Sequence, residues 1–158
     1  MPRCAKRWAS LALILLFLAP LPAAAEWPHS GTRALPSDKS FAELVKALNG
    51  AIKDNGMFAV SKASASTGAK RRGIDIAGNM VIGVFRNDYA VRMLAASIEA
   101  GIEAPLRYYV TDDSDGTATL TYRTPSAVFA PYGKAELNEI AGELDAIFAA
   151  IAAQAIGG

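Results

Sequence analysis

A chain of 158 residues with 52% hydrophobic side chains and a formal charge of +1 has room for one domain with a substantial core, and its 16 basic and 15 acidic groups lack the basic surplus of a nucleic-acid binder. Its single cysteine, Cys4, and single histidine, His29, exclude a disulfide framework and Cys–His or Ser–His–Asp catalysis within the fold. They also leave zinc only carboxylate ligands, which structural zinc seldom accepts.

The first 25 residues read as a secretory signal peptide. Arg3, Lys6 and Arg7 open it, and Leu11 to Leu18 form an apolar run too short for a bilayer span of about 20 residues. Ala23-Ala24-Ala25 then supply the small residues of an A-x-A cleavage site. Cleavage after Ala25 leaves 133 residues with no cysteine and 13 basic against 15 acidic groups, a formal charge of −2. Cys4 precedes the apolar run, whereas a lipid-anchoring cysteine follows it. The expectation is a soluble, secreted or periplasmic protein without a membrane span; Lys6-Arg7 leaves the twin-arginine route open beside the general one.

Residues 26–38 read as a flexible leader, with a short edge strand near Thr32 to Leu35, and residues 39–156 as a single domain. From Ser40, apolar residues at Phe41, Leu44, Val45, Leu48 and Ile52 follow helical spacing, Ser40 and Glu43 form a capping-box pair, and Gly56 closes the helix. Met57 to Ser61 reads as a strand, Ala63 to Gly73 as a turn or frayed helix, and Met80 to Phe85 as a buried central strand. Asn87 or Asp88 caps a second helix with Ala90, Val91, Leu94, Ala95 and Ile98 inward, ending at Gly101.

Leu106, Tyr108 and Val110 alternate with Arg107, Tyr109 and Thr111, and across Asp115-Gly116 a partner strand alternates Ala118, Leu120 and Tyr122 with Thr119, Thr121 and Arg123. That is a hairpin with one face in the core. Pro125 and Pro131 bracket a loop, and a third helix runs from Lys134 to about Ala155 with Leu137, Ile140, Leu144, Ile147 and Ile151 inward. Together these give an α+β, two-layer sandwich, with a mostly antiparallel sheet of about four or five strands and three helices in the order β-α-β-β-α-β-β-α.

No residue set announces a reaction. Tyr108, Tyr109, Tyr122, Tyr132, Phe58 and Phe85 fall on or beside the sheet, either as core or as the lining of a pocket with Arg86, Arg107 and Arg123 as polar handles; the ligand-binding candidates are Arg86, Arg107, Tyr108, Tyr122 and Arg123. Lys70-Arg71-Arg72 before Gly73 is either a solvated turn or an anion-binding loop, helped by Arg86 and the start of the second helix. Thr111 to Gly116 partly matches a calcium loop, but its first position is Thr and its twelfth is Tyr122 in place of a bidentate Glu, so it reads as a turn. An amino-terminal copper site at His29 would need a backbone N–H that Pro28 lacks. No metal or cofactor is expected.

The uncharged stretch Ala146 to Ile156, with Phe148, Ile151 and Ile156, serves either the core or a homodimer seam. Three functional readings follow: a non-catalytic domain that binds a small molecule or protein, a self-assembling module through the third helix, or an enzyme of Arg, Tyr and carboxylate groups with Asp75 and Asp88 paired in one cleft.

The strand Val81 to Phe85 followed by Asn87, then Ala104-Pro105-Leu106, Thr111-Asp112-Asp113-Ser114-Asp115-Gly116 and Leu120-Thr121-Tyr122-Arg123-Thr124-Pro125, resembles the family catalogued as domain of unknown function 302, from about Ser40 to Ala155. The resemblance implies a two-layer α/β domain and no established reaction. Many members carry Asn-Pro after the central strand, and histidines after the second strand and in an Arg-His-Gly step before the last helix. Here those places read Asn87-Asp88, Ala63-Ser64-Ala65 and Pro131-Tyr132-Gly133, so any role of the histidines is lost.

Overall fold

Two runs of strict alternation build the middle of the sheet. In the computed structural model, which describes Met1 and residues 29–157, they are β4 (Leu106–Asp112) and β5 (Ala118–Arg123), paired antiparallel with Tyr108 opposite Tyr122 and Val110 opposite Leu120. Gly116, at φ +86°, makes the turn, and Asp115 fixes it by accepting from the Thr117 N–H at 3.0 Å and its hydroxyl at 2.6 Å. The other strands are β1 (Thr32–Ser37), β2 (Phe58–Ala63) and β3 (Asn79–Phe85), and the sheet order β1-β5-β4-β3-β2 is antiparallel throughout. The sheet therefore begins inside the segment that composition assigns to a leader. The expected signal peptide lies outside the described residues.

The even-numbered residues of the hairpin face the helices. Leu106, Tyr108, Val110, Ala118, Leu120 and Tyr122 are all buried, in one core cluster with Leu44, Leu48 and Ile52 of α1 (Phe41–Asp54) and Leu137, Ile140, Leu144, Phe148 and Ile151 of α5 (Ala135–Gly157). The capping box forms as expected, with Glu43 accepting from the Ser40 N–H at 3.0 Å and its hydroxyl at 2.6 Å. The two helices are tied at one end by Gln154, which accepts from Asn55 at 2.9 Å and donates to Asp54 at 2.8 Å. Lys39 Nζ donates to the Ile156 carbonyl at 2.9 Å, a cation where the helix dipole ends negative.

By length and composition α5 could cross a bilayer. Its large apolar residues face the core, and Phe148 and Ile151 are fully buried, so neither is available for the homodimer seam considered from the sequence. What the second half of α5 turns outward is Ala146, Ala149, Ala150, Ala153, Gln154 and Gly157, with Ile156 half-buried.

Two local expectations are corrected. Residues 125–131 are not a loop: Thr124 accepts from the Ala127 N–H at 3.4 Å and Pro125 takes the first helical position, opening the short helix α4 (Pro125–Phe129). Of the turn and the frayed helix expected over Ala63 to Gly73, the structure has a short helix, α2 (Ala65–Lys70), capped by Ser64, which accepts from the Thr67 N–H at 3.0 Å. Finally α3 (Asn87–Ala96) has Arg86 at the N-cap, with no side-chain cap from Asn87 or Asp88, and it is turned around. Tyr89 and Met93 are buried, while Val91, Leu94 and Ile98, expected inward, are 59%, 41% and 70% exposed. This rotation brings the Tyr89 hydroxyl within 3.0 Å of Glu143.

Candidate functional site

The odd-numbered residues of the hairpin lie on the opposite face from α1 and α5. Val81 pairs with Tyr109, Tyr109 with Thr121 and Thr121 with Ala34, a row across four strands; Gly83 pairs with Arg107, and Thr32 with Arg123. At this end of the hairpin lies a cleft of about 320 Å³, lined by His29, Thr32, Val81, Arg107, Tyr109, Thr121 and Arg123 and also by Leu106, Tyr108, Tyr122 and Val128. Beside it Gly83 admits a close approach: a Cβ there would meet Pro105 at 2.8 Å and collide with the Ser61 hydroxyl.

Arg107 and Arg123 each stand one residue beyond the Tyr108–Tyr122 pair, so two guanidinium groups flank one end of the floor. Arg123 Nη2 donates to the Ala127 carbonyl at 3.2 Å, and its Nε is buried without an acceptor. Arg107 is exposed and makes no hydrogen bond or ion pair with the described residues. Neither arginine has a carboxylate partner among them.

Arg86 and Arg92 are in the contrary state. Arg86 grips Asp88 through Nε at 2.8 Å and Nη2 at 3.1 Å, and its guanidinium lies 4.4 Å from the centre of the Tyr89 ring. Arg92 grips both oxygens of Glu143, at 2.8 and 2.7 Å, and Tyr89 donates to the same carboxylate at 3.0 Å. Arg86 therefore does not join Arg107 and Arg123. It borders a separate apolar void of about 30 Å³ with Tyr89, Met93 and Leu106, roughly the room of a single water.

The Arg92 guanidinium, and after it the Tyr89 hydroxyl, holds the Glu143 carboxyl down at about 2. A depressed carboxylate adds stability that is complete above its unfolded value, about 4.3, and is lost as pH falls towards about 2. We expect stability to fall across that window and Glu143→Gln to flatten this part of the acid limb. Urea denaturation at a series of pH values measures it, and an unchanged limb in the variant would refute the contribution.

Of the other expected site residues, Tyr108 and Tyr122 are core. Tyr108 is fully buried, stacks on Phe148 with ring centres 4.9 Å apart, and donates to the Phe148 carbonyl at 2.8 Å; Tyr122 lies 5.2 Å from it. Burial pushes both phenols above their ordinary range. Strand parity turns both rings to the helices, and the two residues border the cleft beside their odd neighbours. That parity was the signal for Tyr109 and Thr121 as cleft residues. His29 and Thr32 reach the cleft through β1, which no local pattern ties to this end of the sheet.

Lys70, Arg71 and Arg72 are exposed on the turn closed by Gly73, at φ +73°. α2 is anchored to Asn79, at the start of β3, by the Ala65 N–H bond of 2.9 Å. Arg86 follows the far end of that strand, about 20 Å away at roughly 3.3 Å per residue, so it cannot assist an anion there. Asp75 and Asp88 are separated by the same strand, and Arg86 holds the Asp88 carboxyl below its usual range, so the carboxylate pair of the enzyme reading is not assembled.

In the Thr111–Gly116 loop, Asp113 accepts from the Thr119 hydroxyl at 2.7 Å and Asp115 is occupied by Thr117. Among the described residues, no three His, Cys, Asp or Glu side chains come together.

The family model described as domain of unknown function DUF302 matches residues 33–155. The chain is also similar to a solved structure, that of an uncharacterized conserved protein DUF302 from Bacillus stearothermophilus, at 19% identity with a TM-score of 0.69 over 77% of this chain and 95% of that one. That likeness is one of fold. No curated protein is significantly similar to the chain.

Proposed function

The chain belongs to the DUF302 family, a domain of unknown function, and we propose that it is an exported, non-catalytic domain that binds a small organic anion on the open face of its sheet. The observation that carries this is the pair Arg107 and Arg123: neighbours on adjacent strands, on one face, without a carboxylate, while Arg86 and Arg92 each grip an acid of their own. Like charges at neighbouring positions of a strand pair cost up to about 1 kcal/mol. A carboxylate or phosphate between them turns that repulsion into charge-assisted hydrogen bonds. The floor of Val81, Tyr109 and Thr121 supplies apolar contact with a hydroxyl at hand, the composition of a small-molecule site.

The signal-like first 25 residues support a ligand pool outside the cytoplasm. Thermal-shift titration of the purified chain with mono- and dianionic metabolites at low ionic strength tests the reading. The expected result is a rise in melting temperature that salt weakens. A panel that moves nothing, or a shift indifferent to Arg107 and Arg123, would count against it.

A second reading rests on its own observation. Val91, Leu94, Ile98 and Ile102, on α3 and the 3-10 turn Glu99–Glu103 after it, are 59%, 41%, 70% and 82% exposed and recur three or four residues apart. Apolar side chains this exposed offer a surface that a second copy of the chain would cover. We expect concentration-dependent dimers in light scattering, abolished by Ile98→Asp. A strictly monomeric chain at high concentration would end this reading.

A further inference from the structure

We infer that the anion held in the cleft is aromatic, its ring stacked on Tyr109 and its charge between Arg107 and Arg123; this rests on the anion-binding reading above. Of the chain's five tyrosines, four have their aromatic or hydroxyl groups engaged. Tyr108 and Tyr122 pack on Phe148, Tyr89 lies against two guanidinium groups and donates to Glu143, and Tyr132 donates to Glu103 at 3.1 Å. Tyr109 alone, half-buried in the cleft, has neither a ring contact nor a hydrogen bond with the described residues.

Its cross-strand neighbours are Val81 and Thr121, both short, so in that row of the sheet the phenol ring is the broad apolar feature, and Tyr108 and Tyr122, which also border the cleft, are already packed on Phe148. Arg107 precedes it by two positions on the same face, about 7 Å along the strand. A flat ring joined to its anionic group by a short linker spans that distance, with the ring on the phenol and the oxygens at the guanidinium groups. Offset stacking favours such a ligand over a saturated one of equal charge and size.

The test titrates the purified chain calorimetrically with phenyl phosphate against cyclohexyl phosphate, and with phenylacetate against cyclohexylacetate. The aromatic member of each pair is expected to bind about 2- to 10-fold more tightly, and Tyr109→Leu to erase that preference, bringing the two members of each pair to equal affinity. Equal affinities within both pairs for the native chain would overturn the aromatic assignment and leave the anion site standing. A preference that survives Tyr109→Leu would overturn the role of Tyr109. Absence of binding by all four, or binding unaltered by Arg107→Ala and Arg123→Ala, would overturn the anion site itself, and this inference with it.

Discussion

Tyr108→Ala will destabilise the domain by about 3–5 kcal/mol, the range for deleting a large aromatic side chain from a packed core. The ring is fully buried, sits between Tyr122 and Phe148, and carries the hydroxyl bond that ties the middle strand to α5. Removing it leaves a void at the junction of sheet and helix layer, where neither side can close in without unseating its own contacts. Tyr108→Phe keeps the ring and loses only the bond to the Phe148 carbonyl, and should cost about 1 kcal/mol.

Tyr109→Ala, one residue along the same strand, should cost well under the core value, because the side chain it removes packs on nothing in the helix layer. Equilibrium denaturation midpoints at constant slope decide this. Equal losses at 108 and 109 would mean that the strand does not present the two faces described.

Arg107→Ala and Arg123→Ala will each weaken anion binding by about 10- to 100-fold, since a hydrogen bond to a charged group contributes about 1.5–3 kcal/mol and each 1.4 kcal/mol is a factor of ten. The double variant should lose less than the product of the two, because both groups act on one anion. Neither substitution should lower the stability of the ligand-free domain beyond what the lost arginine stems contribute, and relief of the like-charge contact acts in the opposite direction. Lys70→Ala and Arg72→Ala serve as controls of equal charge change on the turn after α2, and should leave affinity unchanged apart from long-range screening. Calorimetric titrations at fixed low salt compare the four. A loss at the turn equal to that at the cleft would reduce the effect to net charge.

Much of this architecture is legible in the chain because its determinants are local. Ser40 and Glu43 cap α1 within a single turn, and the alternation of residues 106–111 and 118–123 assigns every hairpin side chain to a face. Thr124-Pro125 is an equally local start signal for α4, a threonine at the N-cap with proline at the first helical position. The orientation of α3 was not legible. Val91, Leu94 and Ile98 make as good an apolar face as Tyr89 and Met93, and what decides between them is tertiary: the Glu143 carboxylate on α5 that receives Tyr89 and Arg92.

The site was half legible for a related reason. Arginines and tyrosines on strands mark a plausible pocket, but only the choice of face separates Arg107 and Arg123 from Tyr108 and Tyr122. The alternation assigns the Tyr108 and Tyr122 rings to the core, from where both residues border the cleft. The contribution of His29 and Thr32 depends on β1 pairing with β5, a contact some 90 residues apart in sequence that no local pattern specifies.

Amide chemical-shift mapping of the purified chain during a phenyl phosphate titration tests the central claim most directly. The account predicts perturbations greatest at Arg107, Tyr109, Thr121 and Arg123, extending to Thr32 and Val81 and absent from α3. Shifts centred on the Lys70–Arg72 turn or on α3, or no shifts at millimolar ligand, would contradict it.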